Sequence, residues 1–163
     1  MKLRHHPVQP FVVALVCALL LAASDALARD TPTMMGSGEV EQMDAARAAI
    51  QAKDWQRAIN ELDAAVKVDP RNADAHNLLG YSHRKKATPD LARAFAHYKL
   101  ALEIDPQHKS AHEYIGEAYL MDRRPAEARK HLAELARLCG NQTCEEYVDL
   151  AGAIDEYKAK NPD

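Results

Sequence analysis

The chain has 163 residues and a net charge of −3, too short for more than one ordinary domain. Its mild acidity argues against sequence-independent nucleic-acid binding, which needs concentrated positive charge. With six glycines in the whole chain, loops that cradle phosphates or build oxyanion holes are scarce, and no nucleophile–base pair stands out, so no enzyme and no cofactor are expected.

In chain order, the first element is a leader. Lys2 and Arg4 precede an apolar run from Phe11 to Ala23, and Ala26 and Ala28 follow in an A-x-A pattern. That is the layout of a secretory signal peptide. The run is 13 residues long, against the roughly 20 that span a bilayer, so no stable membrane insertion is expected after processing. Cys17 lies within the run, preceded by Val16, and reads as a residue discarded with it. Cleavage after Ala28 leaves a mature chain from Arg29, exported to a periplasm or secreted. Losing Lys2, Arg4 and Asp25 takes the charge from −3 to −4. Residues 29–38 read as a flexible mature N-terminus.

Helices follow. From Trp55 the apolar residues Ala58, Ile59, Leu62, Ala65, Val66 and Val68 keep a helical period with one buried stripe. Asp69-Pro70 stops it, because the residue before proline is pushed out of helical geometry. A second period runs from Ala75 through Leu78, Leu79 and His83, and Thr88-Pro89-Asp90 breaks it. Leu91 to Ile104 forms the next helix, ended by Asp105-Pro106. Helices at about 109–121 and 125–138 are joined across Asp122 to Pro125, and a last one spans Glu145 to Lys160. The chain therefore reads as antiparallel helix pairs joined by short turns.

The pairs echo each other. Ala65, Asp69, Pro70, Ala75, His76 and Gly80 return as Ala101, Asp105, Pro106, Ala111, His112 and Gly116, 36 positions on. These units resemble tetratricopeptide repeats, normally 34 residues long. The family places small residues where the two helices cross and a proline near the end of the second. Ala46, Ala58, Ala65 and Pro70 take those places in a first unit (about 39–72), with Trp55 before its second helix. Gly80, Ala94, Ala101 and Pro106 take them in a second (about 73–108), with Tyr98 as the large packing residue. Gly116, Ala128 and Leu135 do so in a third (about 109–138), with Tyr119 as its aromatic. The first unit departs from the pattern at Gln42 and Ala49, the second carries two extra residues near 87–90, and the third ends in Cys139-Gly140 without a proline. The resemblance implies an all-α, right-handed superhelical array of three helix pairs. Residues 139–163 would supply a cysteine loop and a capping helix with Tyr147, Val148, Ala151, Ile154 and Tyr157 facing inward.

The same resemblance implies a role in holding a protein or peptide partner, as adaptor, scaffold or assembly factor. The family's groove positions fall on Met43, Arg47 and Ile50, then Asn77, Tyr81, Arg84 and Lys85, then Glu113, Glu117 and Leu120. Family members that clamp chaperone tails use lysines and asparagines around a carboxylate. Asn77 fits that pattern, and Glu113 and Glu117 do not. Glu113 and Glu117 read as a solvated or partner-facing surface.

Cys139 and Cys144 form an even pair in an exported chain and read as a disulfide. Six histidines follow the leader. His76 and His112 fall at equivalent packing positions, so the set reads first as repeat histidines, with no metal assigned. A zinc site wants three or four converging ligands, and the alternative reading is a metal-handling accessory protein using His76, His83, His108 and His112. A further alternative is self-association by stacking of repeat ends.

Overall fold

A computed structural model describes residues 35–162. The leader, its cleavage site and Cys17 lie outside the described residues. Among the described residues seven helices follow one another: α1 Met35–Gln51, α2 Trp55–Val68, α3 Ala73–Lys85, α4 Leu91–Ile104, α5 Lys109–Met121, α6 Pro125–Cys139 and α7 Glu145–Lys160. The first helix begins a turn earlier than the repeat register places it. Among the described residues no helix is long and apolar enough to cross a membrane.

Local chemistry fixes the helix ends. Asp54, Asn72 and Asp90 accept hydrogen bonds from the backbone N–H groups of Arg57, Ala75 and Arg93, satisfying donors the first turn leaves open. Asp69 and Asp105, each before a proline, are extended and close α2 and α4. Pro125 starts α6, where its missing N–H costs nothing, and Gly140 ends it in the left-handed region at φ 67°.

Each helix packs on its sequence neighbours. In addition α3 packs on α5 and α5 on α7, whereas α2, α4 and α6 make no comparable contacts with one another. An array whose first helices touch while its second helices splay curves toward the first, so α3, α5 and α7 form an inner layer.

Small residues set the crossings. A Cβ on Gly80 would lie 2.6 Å from the Tyr98 ring, and one on Gly116 2.6 Å from Leu150. Without side chains at these points the backbones approach closely enough for Tyr98 and Leu150 to be fully buried. Leu150 corrects the expected inward face of α7. Leu150 and Ile154 are buried, Tyr147, Ala151 and Tyr157 half-buried, and Val148 is 51% exposed. Val148 lies two residues from Leu150, about 200° around the helix, so once Leu150 fills the notch at Gly116, Val148 must point away.

Cys139 and Cys144 are joined by a disulfide, with Cα atoms 6.2 Å apart. It ties the end of α6 to the start of α7.

Candidate peptide-binding groove and the buried histidines

On the inner layer, α3 presents Tyr81 and Arg84, and α5 presents Tyr114 and Glu117. The Tyr81 and Tyr114 rings lie 4.9 Å apart, and Trp55 meets Tyr81 edge-on at 6.0 Å. The Arg84 guanidinium sits over both tyrosines, 5.5 and 5.7 Å from their centroids. Its Nε donates to the Tyr98 hydroxyl at 3.3 Å, and it forms an ion pair with Glu117. Arg84 is thus buried, hydrogen-bonded and neutralised. It braces the aromatic pair and leaves little charge to offer a ligand.

The surroundings grow acidic toward α7. Burial pushes the Glu113 carboxyl up to about 8, and Glu117, Asp149 and Glu146 push in the same direction. Burial likewise raises the Tyr114 phenol to about 12, with Glu113 adding to it. A cleft of about 320 Å³ continues from here, lined by Arg84, Glu117, Leu120, Met121, Tyr157 and Lys160 among others. At the other end a cleft of about 300 Å³ is lined by residues including Glu39, Met43, Arg47, Asn72 and Asp74.

Histidines cluster between the helices of each pair. His76 on α3 faces His97 on α4, Nδ1 to Nδ1 at 3.3 Å, and His83 stacks on His97. His112 on α5 faces His131 on α6, Nδ1 to Nδ1 at 2.9 Å, and Tyr119 stacks on His131. Burial lowers His97 and His131 to about 4, helped by His76 and His112 respectively. Burial also lowers His83, whose Nδ1 has no partner among the described residues. His108 stands apart. Its Nδ1 caps α5 on the Ala111 N–H, so its Nε2 donates to Asp74 at 3.0 Å. The set His76, His83, His108 and His112 therefore does not converge, because it mixes two separate pairs with a helix cap. Among the described residues one group of three metal-capable side chains lies together, Cys139, Cys144 and Glu146, but both of its sulfurs are consumed in the disulfide.

The tetratricopeptide-repeat family matches residues 43–109 and 101–142. The chain belongs to this family. No curated protein matches it in sequence. Solved structures share the fold of this tetratricopeptide-repeat chain at low identity. The Arabidopsis OM64 TPR domain is 17% identical with a TM-score of 0.65, covering 74% of this chain and 97% of that one. The TPR2B domain of yeast Sti1, in complex with pHsp70, is 15% identical with a TM-score of 0.68, covering 77% and 99%. The first TPR of Spaghetti (RPAP3), bound to the HSP90 peptide SRMEEVD, is 15% identical with a TM-score of 0.65, covering 76% and 94%.

Within this repeat array the ten groove positions separate. Arg47 and Lys85 are exposed, and Ile50, Tyr81 and Glu117 are half-buried. Met43, Asn77, Arg84, Glu113 and Leu120 are buried, so they form the floor, not a surface a partner can grip. Glu113 in particular is no solvated acid, because α7 closes over that face of α5. Arg47 is held by Asp74 at 3.7 Å. Tyr114 was not legible from the repeat register. The 36-residue echo of Tyr81 falls on Glu117, and Tyr114 reaches the rung from one turn earlier. Tyr157 and Lys160 were missed because α7 reads as a cap.

Proposed function

We propose that the protein is an exported adaptor that holds an extended segment of a partner protein across Tyr81 and Tyr114. Basic side chains of that segment would lie toward Glu146 and Asp149. The observation that carries this reading is the half-exposed tyrosine pair, stiffened from beneath by Arg84 and flanked by Glu113, which burial first and the neighbouring acids second push up to about 8. Rigid aromatic side chains concentrate binding energy at little entropic cost. Similar folds bind pHsp70 and an HSP90 peptide, which supports peptide binding as the mode. The acidic flank disfavours an acidic peptide such as SRMEEVD.

Export to a periplasm or secretion belongs to the same proposal. The leader pattern and the Cys139–Cys144 disulfide support it, since such bonds persist in oxidising compartments. An N-terminus at Arg29 on the exported protein is the expected result.

The test of the groove is co-purification from the native compartment, followed by titration of peptides from the captured protein. Tyr81→Ala with Tyr114→Ala should weaken capture by about 30-fold, the loss of roughly 2 kcal/mol at an aromatic hot spot. The peptide SRMEEVD should bind far more weakly than a basic, aromatic segment. Equal capture by the double variant removes the groove from the account, and tight SRMEEVD binding overturns the acidic-flank argument.

A further inference from the structure

We propose that the head-on imidazole pairs His76–His97 and His112–His131 form an acid-operated latch. Each pair holds one added proton as a shared bridge and parts on a second, and the parting of His76 from His97 withdraws the brace beneath Tyr81 and Tyr114. The effect on binding rests on the groove proposed above; the latch itself does not.

The tautomers come first. His76 Nε2 lies 3.1 Å from the Pro70 carbonyl and His112 Nε2 lies 3.1 Å from the Pro106 carbonyl. A carbonyl can only accept, so in each case Nε2 carries the proton and Nδ1 is left with a lone pair. That lone pair meets the Nδ1 of His97 at 3.3 Å and of His131 at 2.9 Å. The ring centroids lie 5.6 and 5.1 Å apart, so each pair meets nitrogen to nitrogen along one line. In the neutral protein Nδ1 of His97 and of His131 is therefore the donor, and the far Nε2 of the same ring holds the free lone pair.

A first proton enters at that Nε2, on the half-buried ring of the pair. It leaves the N–H···N bridge in place and makes it charge-assisted, which strengthens it. A second proton can go only to Nδ1 of His76 or His112, whose lone pair is the bridge. Taking it up breaks the hydrogen bond and sets two cations face to face. The pair thus titrates as a unit that tolerates one proton and not two. Burial first and the facing histidine second lower His97 and His131 to about 4, the range of the second step.

The surrounding charges differ. His97 feels His83 on α3 and Arg93 on α4 against Asp63 on α2, and Lys86 and Asp90 act on His83. His131 feels Glu127 and Glu134 against Lys130, all on α6. The pair beneath the groove is the less well compensated of the two.

One residue couples that pair to the groove. Tyr98 follows His97 on α4; its ring fills the notch at Gly80 and its hydroxyl accepts from Arg84 Nε. Arg84 in turn lies against Tyr81 and Tyr114. When His97 is driven from His76, Tyr98 moves with it and Arg84 loses the contact that positions it.

Trp55, the one tryptophan of the chain, sits edge-on to Tyr81, so its emission follows the groove with no partner present. In the full chain that emission should change as pH falls through about 4, with helical dichroism retained. His97→Asn places an amide N–H where Nδ1–H stands and takes up no proton. It should lower the midpoint of the Trp55 transition by about one pH unit or more, whereas His131→Asn should leave it in place. An unmoved midpoint in His97→Asn assigns the change to the groove carboxyls and overturns the proposal. Nitrogen resonance of the wild type is an independent check. A coupling across each Nδ1–Nδ1 contact should be present at neutral pH and survive the first proton; its absence, or its loss with that proton, overturns the latch whatever the variants do. Failure of the groove is read separately, as wild type that captures no partner at neutral pH.

Discussion

Gly80 and Gly152 both sit within helices, and the same added methyl group should move them in opposite directions. At Gly80 the new Cβ would meet the Tyr98 ring at 2.6 Å. That ring is fully buried and its hydroxyl is held by Arg84, so it has nowhere to retreat. Overpacking costs about 1–3 kcal/mol and should outweigh the roughly 1 kcal/mol that alanine gains in helix propensity. At Gly152 nothing lies within 4 Å, and alanine should stabilise by about 0.5–1 kcal/mol. Urea midpoints of Gly80→Ala and Gly152→Ala check both signs. The titrating groups also oppose each other. His97 and His131 are lowered to about 4 from an ordinary 6.5, so the unfolded chain binds more protons between those values. Their contribution is complete above about 6.5 and is lost as pH falls toward 4. Glu113 is raised from 4.5 to about 8, so the folded chain holds its proton longer. That group favours the fold below 4.5 and weakens it as pH rises through 8. Glu113→Gln should therefore raise the melting temperature at pH 8 and leave it unchanged at pH 4, a difference that thermal melts at the two pH values will read.

At the scale of the element, α7 depends on two different attachments. Leu150 and Ile154 bury one face against the inner layer, and the disulfide fixes the point where α7 leaves α6. The two cysteines are five positions apart, and closing so short a loop stabilises by about 2 kcal/mol in the chain-entropy account. Cys139→Ser with Cys144→Ser should lower stability by about that amount. Hydrogen exchange should quicken in α7 while α3 and α4 keep their protection. Equal loss of protection throughout the chain would mean that α7 is no separate unit. The elements themselves were legible because their boundaries rest on local chemistry. Asp54, Asn72 and Asp90 cap, and Asp69-Pro70 and Asp105-Pro106 stop, without help from distant residues. The facing of α7 was not legible in the same way. Its apolar residues allow more than one rotation, and the empty notch at Gly116 selects Leu150 over Val148.

At the scale of the molecule, the core of the described residues falls into two clusters. Met43, Ala46, Ile59, Leu62, Ala65, Ala75 and Leu79 form one, and the other runs from Ala94 and Tyr98 through Ile115, Leu135 and Leu150 to Ile154. Tyr98 packed on Gly80, with Arg84 bonded to its hydroxyl, joins them. In a linear array each unit is stabilised mainly by its neighbours. Leu62→Ala removes a fully buried side chain from the first cluster and should cost about 2–5 kcal/mol. Exchange should then rise in α1 and α2 well before α5 to α7, and a uniform rise would show that the two clusters unfold as one.

The sequence by itself determined the repeat, the helix boundaries from α2 onward, the small crossing residues and the cysteine pair, because each is written in neighbouring residues or in a fixed spacing. Tertiary structure decided what those helices present. It buried Asn77, Arg84 and Glu113, which the family's groove positions place on the open surface, because α5 and α7 close over positions that look open in one dimension. It paired Tyr81 with Tyr114 out of register, and His76 and His112 with His97 and His131 on the second helix of each unit. Such meetings depend on the rotation and offset of one packed helix against another, and no spacing along a single chain records them.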